Sequence, residues 1–252
     1  NAQLDHIDAM LRDLGFANDA PVGMAVTGRL SRDGHWSAIN AATLPNIQNA
    51  PLSAALKARY RTVACCNDAF AATVAEARFG AGKGCQDFVY LTVSTGVGGG
   101  MVLNGQPVAG ARGIAGHFGF TSSALGREIC GSGRGNTVEA VAAGLAMAKA
   151  ADAGGHTDHS AKDLFQLAAR GSDWAEEIID NSARSIAGLV ADLAVMIDPE
   201  KIAIGGGVGL AVGYIDRVKM HVATEPAIFH VPIVAVELDH AGPLLGALAL
   251  VP

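Results

Sequence analysis

Cysteine is scarce. Cys65, Cys66, Cys85 and Cys130 are the four in 252 residues. They are too few and too scattered for a disulfide framework, so they read as reduced thiols in a cytoplasmic protein. Positive charge is short as well. Against 24 Asp and Glu stand 18 Lys and Arg, a formal charge of −6, which argues against a general nucleic-acid or membrane-surface binder. No apolar run approaches the roughly 20 residues of a membrane helix, and no signal peptide opens the chain. Neither the P-loop pattern Gly-x4-Gly-Lys-Ser/Thr nor Gly-x-Gly-x-x-Gly after a first strand occurs, which sets aside P-loop and dinucleotide-binding enzymes. Internal repeats and low-complexity tracts are lacking. So is an initiating methionine: the chain starts at Asn1, and the expectation is a processed chain or one whose beginning is missing.

What remains is apolar and rich in glycine. Hydrophobic residues make up 50% and charged residues 17%, a globular composition with enough chain for one large or two modest domains. Glycine, at 32 residues, is nearly twice its usual share of about 7%, so many tight turns are expected. The pattern centres on Asp87–Gly100, Asp-Phe-Val-Tyr-Leu-Thr-Val-Ser-Thr-Gly-Val-Gly-Gly-Gly. Phe88–Val93 reads as a buried strand. Ser94-Thr95-Gly96 forms a tight polar turn, Met101–Leu103 a second strand, and Asn104-Gly105 closes the next hairpin. Hydroxyls and bare N–H groups meet at the first turn, a composition that can wrap phosphate oxygens. A glycine-rich turn without a ligand fits the same residues.

Upstream, Leu4, Ile7, Met10, Leu11 and Leu14 have helical spacing, and Pro21–Thr27 reads as a buried strand. A short strand is expected at Trp36–Asn40, a helix at Leu52–Arg61, a strand at Thr62–Cys66 and a helix at Ala69–Phe79. Gly80–Gly84 stops that helix and is a candidate hinge. Downstream the spacing predicts one long alanine-rich helix over 138–151, helices at Ala161–Ala169 and Asp173–Ile197, a strand at Lys201–Ile204, a helix through Val222, a strand at Pro232–Leu238 and a helix from Ala241 onward. Asp198-Pro199 should end the long apolar helix.

Asn67-Asp68 lies at a strand end opening a helix. Ligands of open α/β sheets collect outside the carboxyl ends of strands. There Asp68 could accept a proton from a hydroxyl and Asn67 could hold its neighbour. An N-cap is the commoner role for an Asp so placed, and spacing leans that way. Three glycine-rich turns, Ser94–Gly100, Gly110–Gly119 and Gly205–Gly209, together suggest a cleft for a phosphorylated ligand. His117 and Glu139 are further polar candidates. A loop histidine and a first-turn glutamate favoured by the helix dipole fit equally.

Several of these segments resemble one family. Thr92–Gly100, Gly113-Ile-Ala-Gly-His117, Cys130-Gly-Ser-Gly-Arg134, Val138-Glu-Ala140 and Ile204–Leu210 together resemble the ROK sugar kinases. Within that family the likeness is greatest to the bacterial N-acetylmannosamine kinase subgroup. Thr224–Ala227, Phe229–Val231, Ala241-Gly242 and Leu245–Ala247 extend it to nearly the whole chain. The resemblance implies an α/β protein with the actin-like, hexokinase-like two-domain ATPase fold (ribonuclease H-like). Residues 1–84 with 240–252 would form the small N-terminal lobe and 85–239 the large C-terminal lobe. It implies Asp68 as the base that takes the proton of a sugar 6-hydroxyl. Gly28, Arg29, Asn67, His117 and Glu139 would be sugar ligands. Ser94, Thr95, Gly96 and Gly98 would belong to a phosphate loop, and Gly205, Gly206 and Gly207 to the turn beside the adenosine. ATP and Mg²⁺ would be cofactors, and a homodimer the assembly.

Three departures from the family pattern stand out. The glutamate of its Glu-x-Gly-His motif is replaced by Ile114, as in the N-acetylmannosamine subgroup, which favours the acetylated sugar. The positions of its structural zinc ligands carry His117, Cys130, Ser132 and Thr137. Two ligands are too few for a closed four-coordinate site, so no structural zinc is expected and the loop should be held by packing. The Asp-x-Gly-Gly-Thr phosphate loop with which the family begins does not follow Asn1, so the N-terminal lobe is expected to be truncated. The reading that results is ATP-dependent phosphorylation of N-acetylmannosamine in sialic acid catabolism. The alternatives are a kinase of another hexose, such as a glucokinase, and a sugar-binding or sensing protein without catalysis.

Overall fold

The computed structural model describes residues 2–16, 20–40, 44 and 46–252. In chain order the elements are α1 (Ala2–Asp13), β1 (Val22–Val26), β2 (Arg29–Leu30), β3 (Trp36–Ser37), α2 (Leu52–Lys57), β4 (Val63–Asn67) and α3 (Asp68–Phe79). There follow β5 (Phe88–Val93), β6 (Val97–Leu103), β7 (Gln106–Pro107), α4 (Glu139–Ala142), α5 (Gly144–Ala153), α6 (Ala161–Ala168) and α7 (Asp173–Ile197). Last come β8 (Lys201–Gly205), α8 (Tyr214–Val222), β9 (Ile233–Ala235) and α9 (Gly242–Ala249). Among the described residues no helix is long and apolar enough to cross a membrane.

The main sheet has the order β7-β6-β5-β8-β9, with β5, β8 and β9 parallel and β6 antiparallel to β5. Its centre explains the unbroken apolar run of β5. Val89, Leu91 and Val93 point into one core with α4, α5 and α7, while Phe88 and Tyr90 point into a second with Ala72 and Ala81. A strand buried on both faces has no polar side to alternate with. α7 lays Ile179, Ile186, Leu189, Val190 and Leu193 on the first core. It ends at Asp198, in the left-handed region at φ 50, just before Pro199.

β1 and β4 pair in parallel as a second sheet, Val26 opposite Asn67. The last helix returns to it. α9 packs on both α3 and β1, and glycine allows the approach. A Cβ on Gly246 would lie 1.7 Å from the Ala71 carbonyl oxygen, and one on Gly23 would lie 2.4 Å from that of Ala247. The Asn104-Gly105 turn forms as expected, both residues at positive φ.

Four expectations need correction. The single helix over 138–151 is two helices, broken at Ala143 with ψ 147. Ser182 Oγ takes the Ala142 carbonyl, and the first N–H groups of α5 donate to the Ser94 and Thr95 carbonyls. Tertiary partners thus replace the helical ones. The strand expected at Pro232–Leu238 is only Ile233–Ala235, because the Glu237 and Leu238 N–H groups turn to the Glu76 carboxylate. Trp36–Asn40 contributes only Trp36–Ser37, since Ala38 donates to Ile47 in a loop instead. α2 stops at Lys57 rather than Arg61; the N–H groups of Ala58, Arg59 and Tyr60 close it as turns.

Candidate active site

The carboxyl ends of β1, β4, β5 and β8 open onto one cleft of about 1280 Å³. Single-ligand pockets run to about 1,000 Å³, so there is room for two ligands. Thr27 and Gly28 follow β1, Asn67 ends β4 and Asp68 follows it, Ser94–Gly98 follow β5, and Gly206-Gly207 follow β8. His117 and Glu139 complete this wall.

Asn67, not Asp68, caps α3: its Oδ1 accepts the Phe70 N–H at 3.0 Å. This corrects the N-cap reading of Asp68 and frees that residue. Asn67 Nδ2 donates to the Gly28 carbonyl at 2.6 Å and to Asp68 Oδ1 at 2.9 Å. Asp68 Oδ1 also accepts the Ala69 N–H at 2.8 Å, and Oδ2 accepts the Thr27 hydroxyl at 2.7 Å. Three donors therefore hold one carboxylate at the positive end of a helix, facing the cleft. That arrangement fixes the orientation of the carboxylate.

The turn after β5 is stabilised from three sides. The Ser94 N–H bonds the Gly96 carbonyl, and α5 supplies N–H groups to Ser94 and Thr95. Glu139 Oε2 accepts the Val97 N–H at 3.1 Å. The glycines that follow also serve packing. A Cβ on Gly98 would reach Ala69, one on Gly100 would sit 2.3 Å from Thr73 Oγ1, and one on Gly99 would meet Tyr90 and Phe118. They let β6 lie flat against α3 and Phe118. Gly206 sits at φ +85, where a Cβ would lie 2.5 Å from the Val93 carbonyl oxygen, and Gly207 faces open space. An L side chain at 206 would be both strained and obstructed. Gly205 and Arg29 do not line the cleft. Gly205 packs on Val236, and Arg29 donates to the Arg112 carbonyl at 3.3 Å.

His117 Nδ1 donates to the Ile114 carbonyl at 3.2 Å, and the ring stacks on Phe120. Ile114 meets the site through its backbone. Burial pushes the Tyr90 phenol up to about 12. The Cys66 thiol is pushed up to about 12 by burial first, with Cys65 and Asp68 adding to the effect. Both are neutral near pH 7.

Of the four zinc-aligned positions, Cys130 Sγ pairs with Ser132 Oγ at 3.0 Å and Thr137 Oγ1 accepts the Ala140 N–H at 3.2 Å. One thiol, one imidazole and two hydroxyls do not suit a structural zinc. The loop is held by more than packing: the Arg134 guanidinium donates to the Phe120 carbonyl and, at 3.0 Å, to Ser122 Oγ.

Sequence reasoning missed Thr27, whose contact with Asp68 spans 41 residues. It also missed a stripe of α5 (Leu145, Ala146, Lys149, Ala150, Ala153) and the pair Asp239-His240 on the cleft wall. The i, i+4, i+8 spacing of Leu145, Lys149 and Ala153 was a visible signal for one helical face.

A sequence model of the ROK family matches residues 3–252. The N-acetylmannosamine kinase of Escherichia coli strain ATCC 8739 is 40% identical over 248 residues, 98% of this chain and 84% of that protein. Among solved structures, the ROK hexokinase of Thermus thermophilus superposes with a TM-score of 0.80 at 31% identity, covering 95% of this chain and 80% of the other. A ROK family glucokinase from Streptomyces griseus, in complex with glucose and AMPPNP, superposes with a TM-score of 0.79 at 26% identity, covering 98% and 86%.

Proposed function

This chain belongs to the ROK family, and from that premise we propose that it transfers the γ-phosphoryl group of ATP to the 6-hydroxyl of N-acetylmannosamine, a step of sialic acid catabolism in the cytoplasm. The observation that carries the reading is Asp68, held by Thr27, Asn67 and the Ala69 N–H at the cleft that the glycine turns also line. Asp68 takes the hydroxyl proton, the oxygen attacks the γ-phosphorus, and ADP departs with the electron pair of the broken P–O bond. Such transfer needs positioning and charge stabilisation more than covalent help from the protein.

Asn67, Gly28, His117 and Glu139 are the sugar ligands in this reading. Glu139 commits Oε2 to Val97 and keeps Oε1 for a hydroxyl; His117 keeps Nε2. Ser94, Thr95, Gly96 and Gly98 face the phosphates. The open, side-chain-free turn at Gly206-Gly207 suits the nucleoside end, opposite the small residues of α5. Among the described residues no group of three His, Cys, Asp or Glu side chains could hold a metal by itself. Mg²⁺ would therefore arrive on the nucleotide phosphates with at most one or two protein carboxylates, as is usual for this ion, and would neutralise developing charge. Asp68, Glu128, Glu139 and Asp239 are the carboxylates that line the cleft. A homodimer is part of the proposal.

The test is phosphoryl transfer from ATP to N-acetylmannosamine, with N-acetylglucosamine and glucose alongside. The expected result is a 6-phosphate with the highest kcat/KM for N-acetylmannosamine. A preference for glucose would move the protein to another hexose. Sugar binding without any transfer would make it a binding protein and overturn the proposal.

A further inference from the structure

The chain passes between the two sheets twice. It leaves α3 through residues 80–87 to enter β5, and it returns from β9 through 236–241 to enter α9. The first sheet, with α3 and α9, supplies Thr27, Asn67 and Asp68 to the cleft, and the main sheet supplies the glycine turns. Beyond the packing of α3 on β5 and β6, a change in cleft width is absorbed at these two connections.

Both meet at one side chain. Glu76, on the last turns of α3, is 1% exposed. Its Oε2 accepts the Ala81 N–H of the first connection at 2.8 Å. Its Oε1 accepts the Leu238 N–H of the second at 2.8 Å, and the Glu237 N–H reaches both oxygens at 3.1 and 3.2 Å. The Glu76 backbone carbonyl accepts Gly80 and Gly82 as well. Gly80 leaves room for this, since a Cβ there would sit 2.2 Å from Glu76 Oε2. On the other side, Lys201 Nζ of β8 donates to the Ala81 carbonyl at 2.7 Å. Ala81 is thus tied to α3 by its N–H and to the main sheet by its C=O. A buried carboxylate is costly unless its lone pairs are filled, and here three backbone donors fill them.

We infer that Glu76 is the pivot of the two halves and a positioning residue for the transfer. It joins both connections to the helix whose first residue is Asp68, eight residues or about 12 Å away. α3 then acts as a lever with the base at one end and the pivot at the other. With the carboxylate intact the open-to-closed equilibrium is narrow, and both substrates meet a preassembled wall. Without it the connections separate and closed populations fall. Apparent affinities fall by the same factor, because a ligand sees only the competent fraction.

The proposal is tested on the full chain with Glu76→Gln, by solution scattering and by kinetics. Scattering without ligand and with N-acetylmannosamine plus AMPPNP should give a larger ligand-free radius and incomplete compaction for the variant. kcat/KM should fall by roughly tenfold or more, carried mainly by KM for both substrates, because no group at the reacting atoms has changed. Val218→Ala, in the α8 core, serves as a control of matched melting temperature and should leave kcat/KM within about twofold of the parent. Parent-like scattering and kinetics in Glu76→Gln would overturn the inference, as would an equal kinetic loss in the control. Glu76→Asp keeps the charge but withdraws it by one methylene, and should shift both readouts the same way if the amide variant does not fold. Hydrogen exchange on the parent gives a check that needs no variant. The Ala81, Glu237 and Leu238 amides share one acceptor, so their protection factors should agree within about threefold, and protection differing by some 30-fold would refute a common pivot. The inference rests on the sugar-kinase reading for its kinetic and liganded-scattering arms; the ligand-free radius and the exchange on the parent need neither bound sugar nor turnover, so their failure is distinct from failure of that reading.

Discussion

Replacing Asp68 by Asn separates proton transfer from architecture, because the local hydrogen bonds can survive the change. Oδ1 stays an acceptor for the Ala69 N–H and Asn67 Nδ2. The new amide nitrogen takes the place of Oδ2, and the Thr27 hydroxyl, 2.7 Å away, can rotate to accept instead of donate. What is lost is the base, plus one negative charge in the first turn of α3, worth about 0.3–1 kcal/mol to the helix. In a chain of this size that is about 1–4 °C in melting temperature. General-base assistance is typically worth about 10²–10⁴-fold, which at 1.36 kcal/mol per decade is about 3–5 kcal/mol of transition-state stabilisation. The assay is steady-state phosphorylation of N-acetylmannosamine by coupled ADP release, with sugar affinity measured separately by calorimetry. The expected outcome is kcat down at least 10²-fold, sugar Kd within about threefold, and a melting shift of a few degrees. A kcat within about tenfold of the parent would remove Asp68 from the role of base. A large drop in melting temperature would show instead that the carboxylate is structural.

Other outcomes follow from the same geometry. Gly206→Ala places a methyl 2.5 Å from the Val93 carbonyl oxygen at φ +85, which should raise KM for ATP by about tenfold or more with little change in sugar binding, read by initial rates at saturating sugar. Tyr214→Phe removes the partner of Ser182 Oγ at 2.7 Å inside the core and should cost about 1 kcal/mol, or about 2–4 °C by calorimetry. Burial holds the Tyr214 phenol above its usual value. Its contribution is therefore whole below about pH 10 and is lost as pH rises toward the folded value, so the Phe variant should show a shallower alkaline loss in melts across that range, the remainder coming from the likewise raised Tyr60, Tyr90 and Cys66. Cys66, with its thiol pushed up to about 12, should stay unmodified by iodoacetamide at pH 8 until the chain is denatured, as mass spectrometry of the labelled peptides would reveal.

The parts of the site that could be read in advance are local in the chain. Ser94-Thr95-Gly96 advertises a turn because hydroxyls and a glycine follow a run of six strand residues. Asn67-Asp68 marks a strand end and a helix start within two positions. Which of that pair caps the helix was not readable. Both residues are good caps, and the choice depends on residues some forty positions earlier: the Gly28 carbonyl orients the Asn67 amide for capping while the Thr27 hydroxyl engages Asp68. Gly205 and Gly206 look alike as letters, yet one packs under Val236 while the other turns at positive φ on the cleft wall. The long helix over 138–151 looked continuous because alanine carries no break signal. Its break at Ala143 comes from Ser182 and from the carbonyls of Ser94 and Thr95.

Sequence by itself determined the period of each segment, apolar on both faces in β5 and on one stripe in α7, and hence the α/β character of the chain. It determined the turns too, because glycine and Asn-Gly reach backbone conformations that other residues avoid. Tertiary structure alone decided which strand ends meet at one cleft, and that Glu76, by its letters an ordinary glutamate on a helix, is a buried carboxylate joining residues 81 and 238. The physical reason is one of range. Backbone propensity acts within a few residues, whereas a buried charge is defined by the donors that fill its lone pairs, and here some of those donors lie about 160 positions along the chain.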